Sequence, residues 1–494
     1  MNRRDFLKAI GVGTASLAVS GCMNGIKLSG QKESAKRPNI LFCISDDQSW
    51  LYAGAYGDKV VKTPNFDRVA KEGVLFTHAF CAASSCTPSR SAILTGQEIW
   101  RLEEGGLLFG TPPAKFGVYT DLLEAQGYHV GFTRKGWAPG RVKPSGRKQN
   151  PAGPRYKNFE QFLQARPEGK PFCFWFGSND PHRPYEWQSG ANSGMKLEDV
   201  VVPAFLVDNK KVRTDICDHY WEIQEFDQQL GRLLKIVEEK GELDNTLIVV
   251  TSDNGMPFPR AKCNLYDYGT RMPLAVRWAA RVKGGRVVDD FISHTDFAPT
   301  FLDAAGVEVP KEVTGRSLMN ILLSDKSGRV DRKRNQVFTA SERHTWCRPN
   351  GVGYPSRAIR THHWLYIRNY EPDRWPAGGP DFQSPHQGSY GDIDNSPTKT
   401  YMMQHKDDLN VAPLFQLAFG KRPAEELYDV GKDPAQIHNL AAESAFARVK
   451  RKLRNQLERH QRDTEDPRVE GKSPWDHYPY YYGDYWKRAG KPGG

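Results

Sequence analysis

Two acidic clusters stand directly behind apolar runs: Asp46-Asp47 closes NILFCISDD, and Asp253-Asn254 closes TLIVVTSDN. Carboxylate and amide oxygens are hard donors. Four such side chains gathered from two strand ends would hold a hard divalent cation, Ca2+ ahead of Mg2+. Each pair alone would serve equally well as a turn or a helix cap, which Asp and Asn also favour. A third feature is CTPSRSAILTG, residues 86–96. Pro88 fits the first turn of a helix, where a missing N–H costs nothing, and Gly96 fits the stop. Cys86 therefore falls at a helix N-terminus, whose free N–H groups favour negative charge. Arg90, one turn on, points back to the same place. A buried cysteine at a helix start can be a plain core filler. Beside a cation site, the same position would grip an anion from two sides.

These residues need a frame to hold them. NILFCIS (39–45), PFCFWFGSND (171–180) and TLIVVTSDN (246–254) contain continuous apolar runs. That is the pattern of buried, mostly parallel strands, and ligands gather at the carboxyl ends of such strands. Ile223, Phe226, Leu230, Leu233, Leu234 and Val237 recur at helical spacing and predict a helix over 218–240 with one face on the sheet. HTDFAPTFLDAAG (294–306) predicts another, stopped at Gly306. Strand and helix alternate, so the fold class is α/β. From about residue 335, NQVFTA and RAIRTHHWLYIRN alternate polar and apolar residues, as half-buried antiparallel strands do. The expected layout is a larger domain over 37–334, with a large, mostly parallel central sheet flanked by helices, and a smaller C-terminal antiparallel-sheet subdomain over 335–494. In the latter, 371–398 reads as a long loop, 442–462 as a basic amphipathic helix, and PWDHYPYYYGDYWKRAG as an aromatic tail, either a surface strap or a cover for a cleft edge.

The chain has 494 residues, 38% hydrophobic and 26% charged, which excludes disorder and leaves room for two units. A net charge of +11 favours anionic partners. The charge is spread along the chain and no nucleic-acid motif accompanies it, so no nucleic-acid partner is expected. Arg3 and Arg4, then Phe6, Leu7 and Lys8, precede AIGVGTASLAVSGC, an apolar run too short to span a bilayer in the usual way. Residues 1–22 resemble a twin-arginine export signal ending in a bacterial lipoprotein box, with Cys22 lipidated; an ordinary secretion signal is the alternative. Residues 23–36 read as a tether. The expected location is periplasmic or cell-surface in a bacterium, with membrane contact through a lipid anchor only. The eight cysteines show no C-x-x-C pair and no zinc spacing, and Cys43 and Cys173 fall in strand-like runs as buried thiols.

CTPSRSAILTG matches the Cys-x-Pro-Ser-Arg…Thr-Gly signature of the sulfatase family. NILFCISDD near the start, TSDNG far downstream and ELYDVGKDPAQIHNLA (426–441) stand with it in family order, so the chain resembles that family over roughly 37–445. The resemblance implies an alkaline phosphatase-like sulfatase fold. It implies that a formylglycine-generating enzyme oxidises Cys86 before folding, and that residue 86 joins Asp46, Asp47, Asp253 and Asn254 around the metal. One hydroxyl of the formylglycine hydrate then attacks sulfur, the other later loses its proton to expel sulfate, and Arg90 stabilises the charge. Further positions carry over. Lys135 and Lys262 match sulfate-binding lysines, and His182 in DPHRPY matches the general acid at the leaving group. One position departs: the family has a histidine two residues after the first lysine, and GYHVGFTRKGWAPG has Trp137. Any proton-accepting role there passes to another group. DNGMPFPRAKCNLYDYGTRMPL resembles the heparan N-sulfatase (N-sulfoglucosamine sulfohydrolase) branch, which implies a sulfated glycan as substrate and leaves N- and O-sulfate unseparated. His344 in SERHTW and Arg357 in PSRAIRTHHW lie where the C-terminal domain of such enzymes reaches the cleft, and are expected to bind a sugar carboxylate or sulfate.

Two other readings stay open at this stage. The same superfamily includes phosphoester and phosphonate hydrolases, some of which use formylglycine. A non-catalytic surface lipoprotein that binds anionic polysaccharide is the other, with Trp137 as its only support.

Overall fold

The computed structural model describes residues 37–484. The signal and tether, with Arg3, Arg4 and Cys22, lie outside the described residues, as does the end of the aromatic tail. Eight strands form the larger sheet: β1 (Asn39–Ser45), β2 (Val74–Phe80), β3 (His129–Arg134), β4 (Phe172–Gly177), β5 (Thr246–Ser252), β6 (Arg271–Met272), β7 (Leu274–Arg277) and β8 (Arg286–Ser293). Their order is β3-β4-β1-β5-β7-β2-β6, with β8 also paired to β2. β3, β4, β1 and β5 run parallel, as do β2 and β8; β6 and β7 are the reversed members. Register is what positions the site. Ser45 of β1 lies opposite Ser252 of β5, so the two acidic clusters leave the sheet at the same level.

The apolar runs are continuous because both faces of the sheet are covered. Ile40, Phe42, Ile44, Leu247 and Val249 face one layer, which includes the helix Phe297–Ala304. Leu41, Cys43, Ile248 and Val250 face the other, where Phe226, Leu230, Leu233, Leu234 and Val237 of the helix Lys210–Glu239 pack. Each of these buried leucines contributes about 1.5–3 kcal/mol. That helix is longer at its N-terminus than the apolar spacing predicts. Asn209 caps it, accepting from the Val212 N–H at 3.0 Å. Its first turns bury Asp215 and Asp218 among apolar residues, which hides the period. Asp215 is held by Arg183 at 2.7 Å.

The second sheet is antiparallel, in the order β12-β11-β10-β9, built from β9 (Gln336–Ser341), β10 (Ser356–Thr361), β11 (Trp364–Asn369) and β12 (Glu425–Asp429). Ala358, Leu365, Ile367 and Tyr428 on one face pack against Leu265 and Tyr266. Ile359, Tyr366 and Leu427 on the other are covered by Leu453 and Leu457 of the helix Ala447–Asp463. This helix begins later than its composition predicts, because Ser444–Phe446 forms a separate 3-10 turn. β9 is tied to the loop before Cys86: the Ala340 N–H donates to the Ala82 carbonyl at 2.9 Å. Among the described residues every cysteine is a free thiol, Cys43 and Cys173 are buried, and no helix is long and apolar enough to cross a membrane.

Candidate active site

The helix Cys86–Thr95 starts beside the ends of β1 and β5, and Gly96 in the left-handed region (φ 68°) stops it. All ten of its residues are buried. Asp46, Asp47, Asp253 and Cys86 each offer a ligand atom within 4.8 Å of the others. Asn254 joins them by donating its Nδ2–H to Asp47 Oδ1 at 2.6 Å, and its own Oδ1 is buried with no hydrogen-bond partner. Three buried carboxylates with an orphaned amide oxygen form a hard donor set that a divalent cation such as Ca2+ or Mg2+ satisfies. Asp47 adopts φ 72°, a conformation tolerated by Asp and held here by its N–H donating to Asp253 Oδ1 at 3.1 Å.

Cationic groups bracket the cluster. Arg90 Nε donates to Asp253 Oδ2 at 2.8 Å, its Nη2 lies 3.8 Å from Asp46 Oδ1, and its Nη1 donates to the carbonyls of Lys135 and Gly136. Lys135 Nζ donates to Asp46 Oδ2. Lys262 Nζ bridges Asp47 Oδ2 at 2.7 Å and Asp394 Oδ2 at 3.0 Å. His182 is one-third exposed, with Nε2 3.8 Å from Asp47 Oδ2 and Nδ1 2.6 Å from the Arg183 carbonyl. Burial alone would raise the Asp46 pKa, but Lys135, His182 and Arg90 outweigh it and hold Asp46 well below the usual carboxylate range. Burial, with Asp46 alongside, pushes Asp253 up to about 6. Burial also lifts the Cys86 thiol well above its ordinary value. An unmodified thiol at this position stays protonated at neutral pH and is a weak nucleophile.

Trp137 is buried in the apolar layer and its Nε1–H donates to Ser91 Oγ at 2.8 Å. The turn at 135–137 therefore serves the site through Lys135 Nζ and two backbone carbonyls, and residue 137 brings no base. His344 reaches the start of the helix, with Nδ1 2.8 Å from Ser85 Oγ; burial lowers its pKa to about 4, so the ring is neutral at pH 7.

Arg357 corrects the sequence expectation. It is fully buried on β10 and paired with Asp466 at 2.7 Å and Glu342 at 2.8 Å. Its guanidinium lies against the rings of Trp100 and Trp475, at 5.1 and 5.5 Å. No part of it is left for a sugar; it ties the second sheet to the C-terminal segment. Arg357→Ala removes the countercharge of buried Asp466, while Glu342 keeps its pair with Arg468 at 2.6 Å, and is expected to cost about 3 kcal/mol in chemical denaturation and to leave KM unchanged.

Asp394 was missed. It lies in the 371–398 loop, where Asp is ordinary, and only the fold shows that it holds Lys262 while accepting from Gln387 Nε2 at 2.9 Å. Burial alone would discharge Lys262, but Asp394 and Asp47 outweigh it and keep it protonated. The described part of the aromatic tail is a strap: Trp475 is buried, and Tyr480 and Tyr482 pack on Phe109 with ring centroids 5.2 and 5.0 Å away.

The carboxyl ends of two central parallel strands present buried oxygen donors to a helix N-terminus, with an arginine and two lysines around them, an arrangement suited to hydrolysing esters of tetrahedral anions. Comparison with known proteins narrows this class. The family model "Sulfatase" matches residues 38–145 and 152–307, and the chain belongs to that family. The model "N-sulphoglucosamine sulphohydrolase, C-terminal" matches residues 261–377, placing the chain near the heparan N-sulfatase branch. An ulvan-active sulfatase of Formosa agariphila is 29% identical over 437 residues, spanning 86% of this chain and 80% of that one. The N-sulphoglucosamine sulphohydrolase of Homo sapiens is 28% identical over 492 residues, spanning 88% and 92%. Among solved structures, a protein in complex with its substrate D-glucosamine-2-N,6-O-disulfate matches with a TM-score of 0.64 at 21% identity, covering 89% of this chain and 100% of the other.

Proposed function

We propose that the chain removes sulfate from a sulfated glycan, using formylglycine made from Cys86 and a divalent cation, Ca2+, held by Asp46, Asp47, Asp253 and Asn254. The observation that carries this reading is the 4.8 Å cluster that places Cys86, at a buried helix start, among three carboxylates. When present, formylglycine hydrate supplies a pair of hydroxyls for attack on sulfur and later release of sulfate, and the cation supplies charge to polarise them.

The chain's own groups do the rest. Arg90, fixed by Asp253 and two carbonyls, sets positive charge beside residue 86 without needing to move. Lys135 and Lys262 each keep part of their donor capacity for sulfate oxygens while neutralising Asp46 and Asp47. The His182 Nδ1–H is anchored on the Arg183 carbonyl, so Nε2 is the atom left to hand a proton to the leaving oxygen or nitrogen. With Trp137 in the core, a carboxylate already touching residue 86 takes the histidine's place as the polar neighbour: Asp46 Oδ1 lies 3.5 Å from Cys86 Sγ.

The match to the N-sulphoglucosamine sulphohydrolase C-terminal model and the glucosamine disulfate complex support a sulfated glucosamine unit as substrate. The test is sulfate release, read by ion chromatography, from N-sulfo- and 6-O-sulfo-glucosamine, ulvan oligosaccharides, an aryl sulfate and a phosphodiester. Release from a sulfated sugar at rates far above phosphodiester cleavage is expected; the reverse ranking would establish the phosphoester reading. His182→Gln is expected to slow release from a sugar by ~10^2–10^3-fold and from an activated aryl sulfate far less, because only the sugar leaving group needs a proton.

Export by the twin-arginine route with lipid on Cys22 completes the proposal. It rests on Arg3-Arg4 and LAVSGC, and it suits a protein that is modified and folded before it leaves the cytoplasm.

A further inference from the structure

The basic helix Ala447–Asp463 has no part in the site above. Its apolar side, Leu453 and Leu457, is buried on the second sheet. Its opposite side carries Arg448, Arg451, Lys452, Arg459 and Arg462, all exposed. At 3.6 residues per turn these five and Asn455 fall within an arc of about 100°, and from Arg448 to Arg462 the row is ~21 Å long. Among the described residues, none of the five side chains makes an ion pair or a side-chain hydrogen bond. Other cations on the same helix are neutralised: Arg454 and Lys450 by Glu425. Glu458, at the edge of the row, is taken by Arg368. Beside the row lies a surface groove of 430 Å3, whose lining includes Arg329, His362, His363, Trp364, Lys452 and Gln456 and has no carboxylate. His362 Nε2 is buried there with no hydrogen-bond partner. A rigid, unneutralised row of cations leading into a groove of donors with an aromatic ring is complementary to a linear polyanion.

We propose that this face is a second binding site for a sulfated polysaccharide, separate from the residues around Cys86, which holds the polymer while the catalytic site works along it. The choice of polymer rests on the sulfatase reading. An anionic membrane is the weaker fit, because the helix's apolar side is already buried and only its charged side is free.

The test uses the full chain with Cys86→Ala, so that binding is read without turnover. A triple variant Arg448→Glu/Arg451→Glu/Arg459→Glu is compared with a control carrying the same change in net charge, Lys148→Glu/Lys170→Glu/Lys240→Glu. Arginine-to-glutamine versions of the triple guard against misfolding from charge reversal. Binding to heparin, chondroitin sulfate and ulvan is measured over a range of salt. The triple variant is expected to bind at least one polymer ~10-fold or more weakly than the control, with a shallower salt dependence, since counterion release scales with the cations engaged. Equal weakening in triple and control, no polymer binding at all, or binding to anionic phosphatidylserine vesicles but not to polysaccharide would each overturn the proposal. Sulfate release by the Cys86-containing protein is measured separately. Its failure with polymer binding intact would count against the sulfatase mechanism and not against this face.

Discussion

Cys86→Ala is expected to abolish sulfate release, by ~10^4-fold or more, while the thermal unfolding midpoint moves little. The thiol is buried, and among the described residues its one side-chain hydrogen bond is the 3.5 Å contact with Asp46, so removing it takes away little packing and no ion pair. Cys86→Ser is the sharper form. A serine keeps an oxygen in place but has one hydroxyl, and it cannot be both the attacking group and the group from which sulfate is expelled. Multiple turnover is therefore lost in both variants. The thiol itself offers no escape, because burial holds it protonated. Steady-state sulfate release and circular dichroism melts read the two halves of the expectation.

The second large effect is at Asp253. Asp253→Ala is expected to lose the bound metal through gel filtration and to lower kcat by ~10^3-fold or more. It also takes from Arg90 its nearest carboxylate, the Asp253 Oδ2 to which Nε donates at 2.8 Å, and leaves it Asp46 at 3.8 Å and two carbonyls; breaking a buried pair costs about 3–5 kcal/mol, and these remaining partners put the cost at the low end. Asp253→Asn separates the two consequences. It keeps an oxygen for Arg90 and so recovers much of the stability, but it removes the charge that holds the cation. Elemental analysis and melting of both variants distinguish them: retained metal in Asp253→Ala would remove this residue from the cation site, whatever the activity.

Much of this architecture is visible in the chain before any coordinates, and the reason is physical. Strands buried on both faces have to be continuously apolar, so β1, β4 and β5 stand out, and the polar residues that end β1 and β5 stand out with them. Pro88 and Gly96 bracket a helix by rules that do not depend on tertiary context, and this locates Cys86. Where long-range packing decides, local pattern fails. Arg357 and Lys262 are both basic residues in mixed surroundings. Only the fold shows that Arg357 is consumed by Glu342 and Asp466, whereas Lys262 bridges Asp47 and Asp394. Asp394 comes from a loop whose composition marks it as a loop and nothing more. Trp137 shows the opposite problem. The substitution was plain in the sequence, but its meaning depends on the ring turning into the core to meet Ser91, while the backbone beside it keeps hold of Arg90.

The central claim is that an oxidised residue 86 carries the nucleophile among three carboxylates. Mass spectrometry of the peptide spanning residues 81–101, taken from a preparation whose sulfate turnover has been measured, tests it most directly. The mass of an aldehyde in place of the thiol, in a fraction of molecules that rises in step with specific activity, is the expected result. A fully active preparation in which residue 86 is an unaltered cysteine would contradict it.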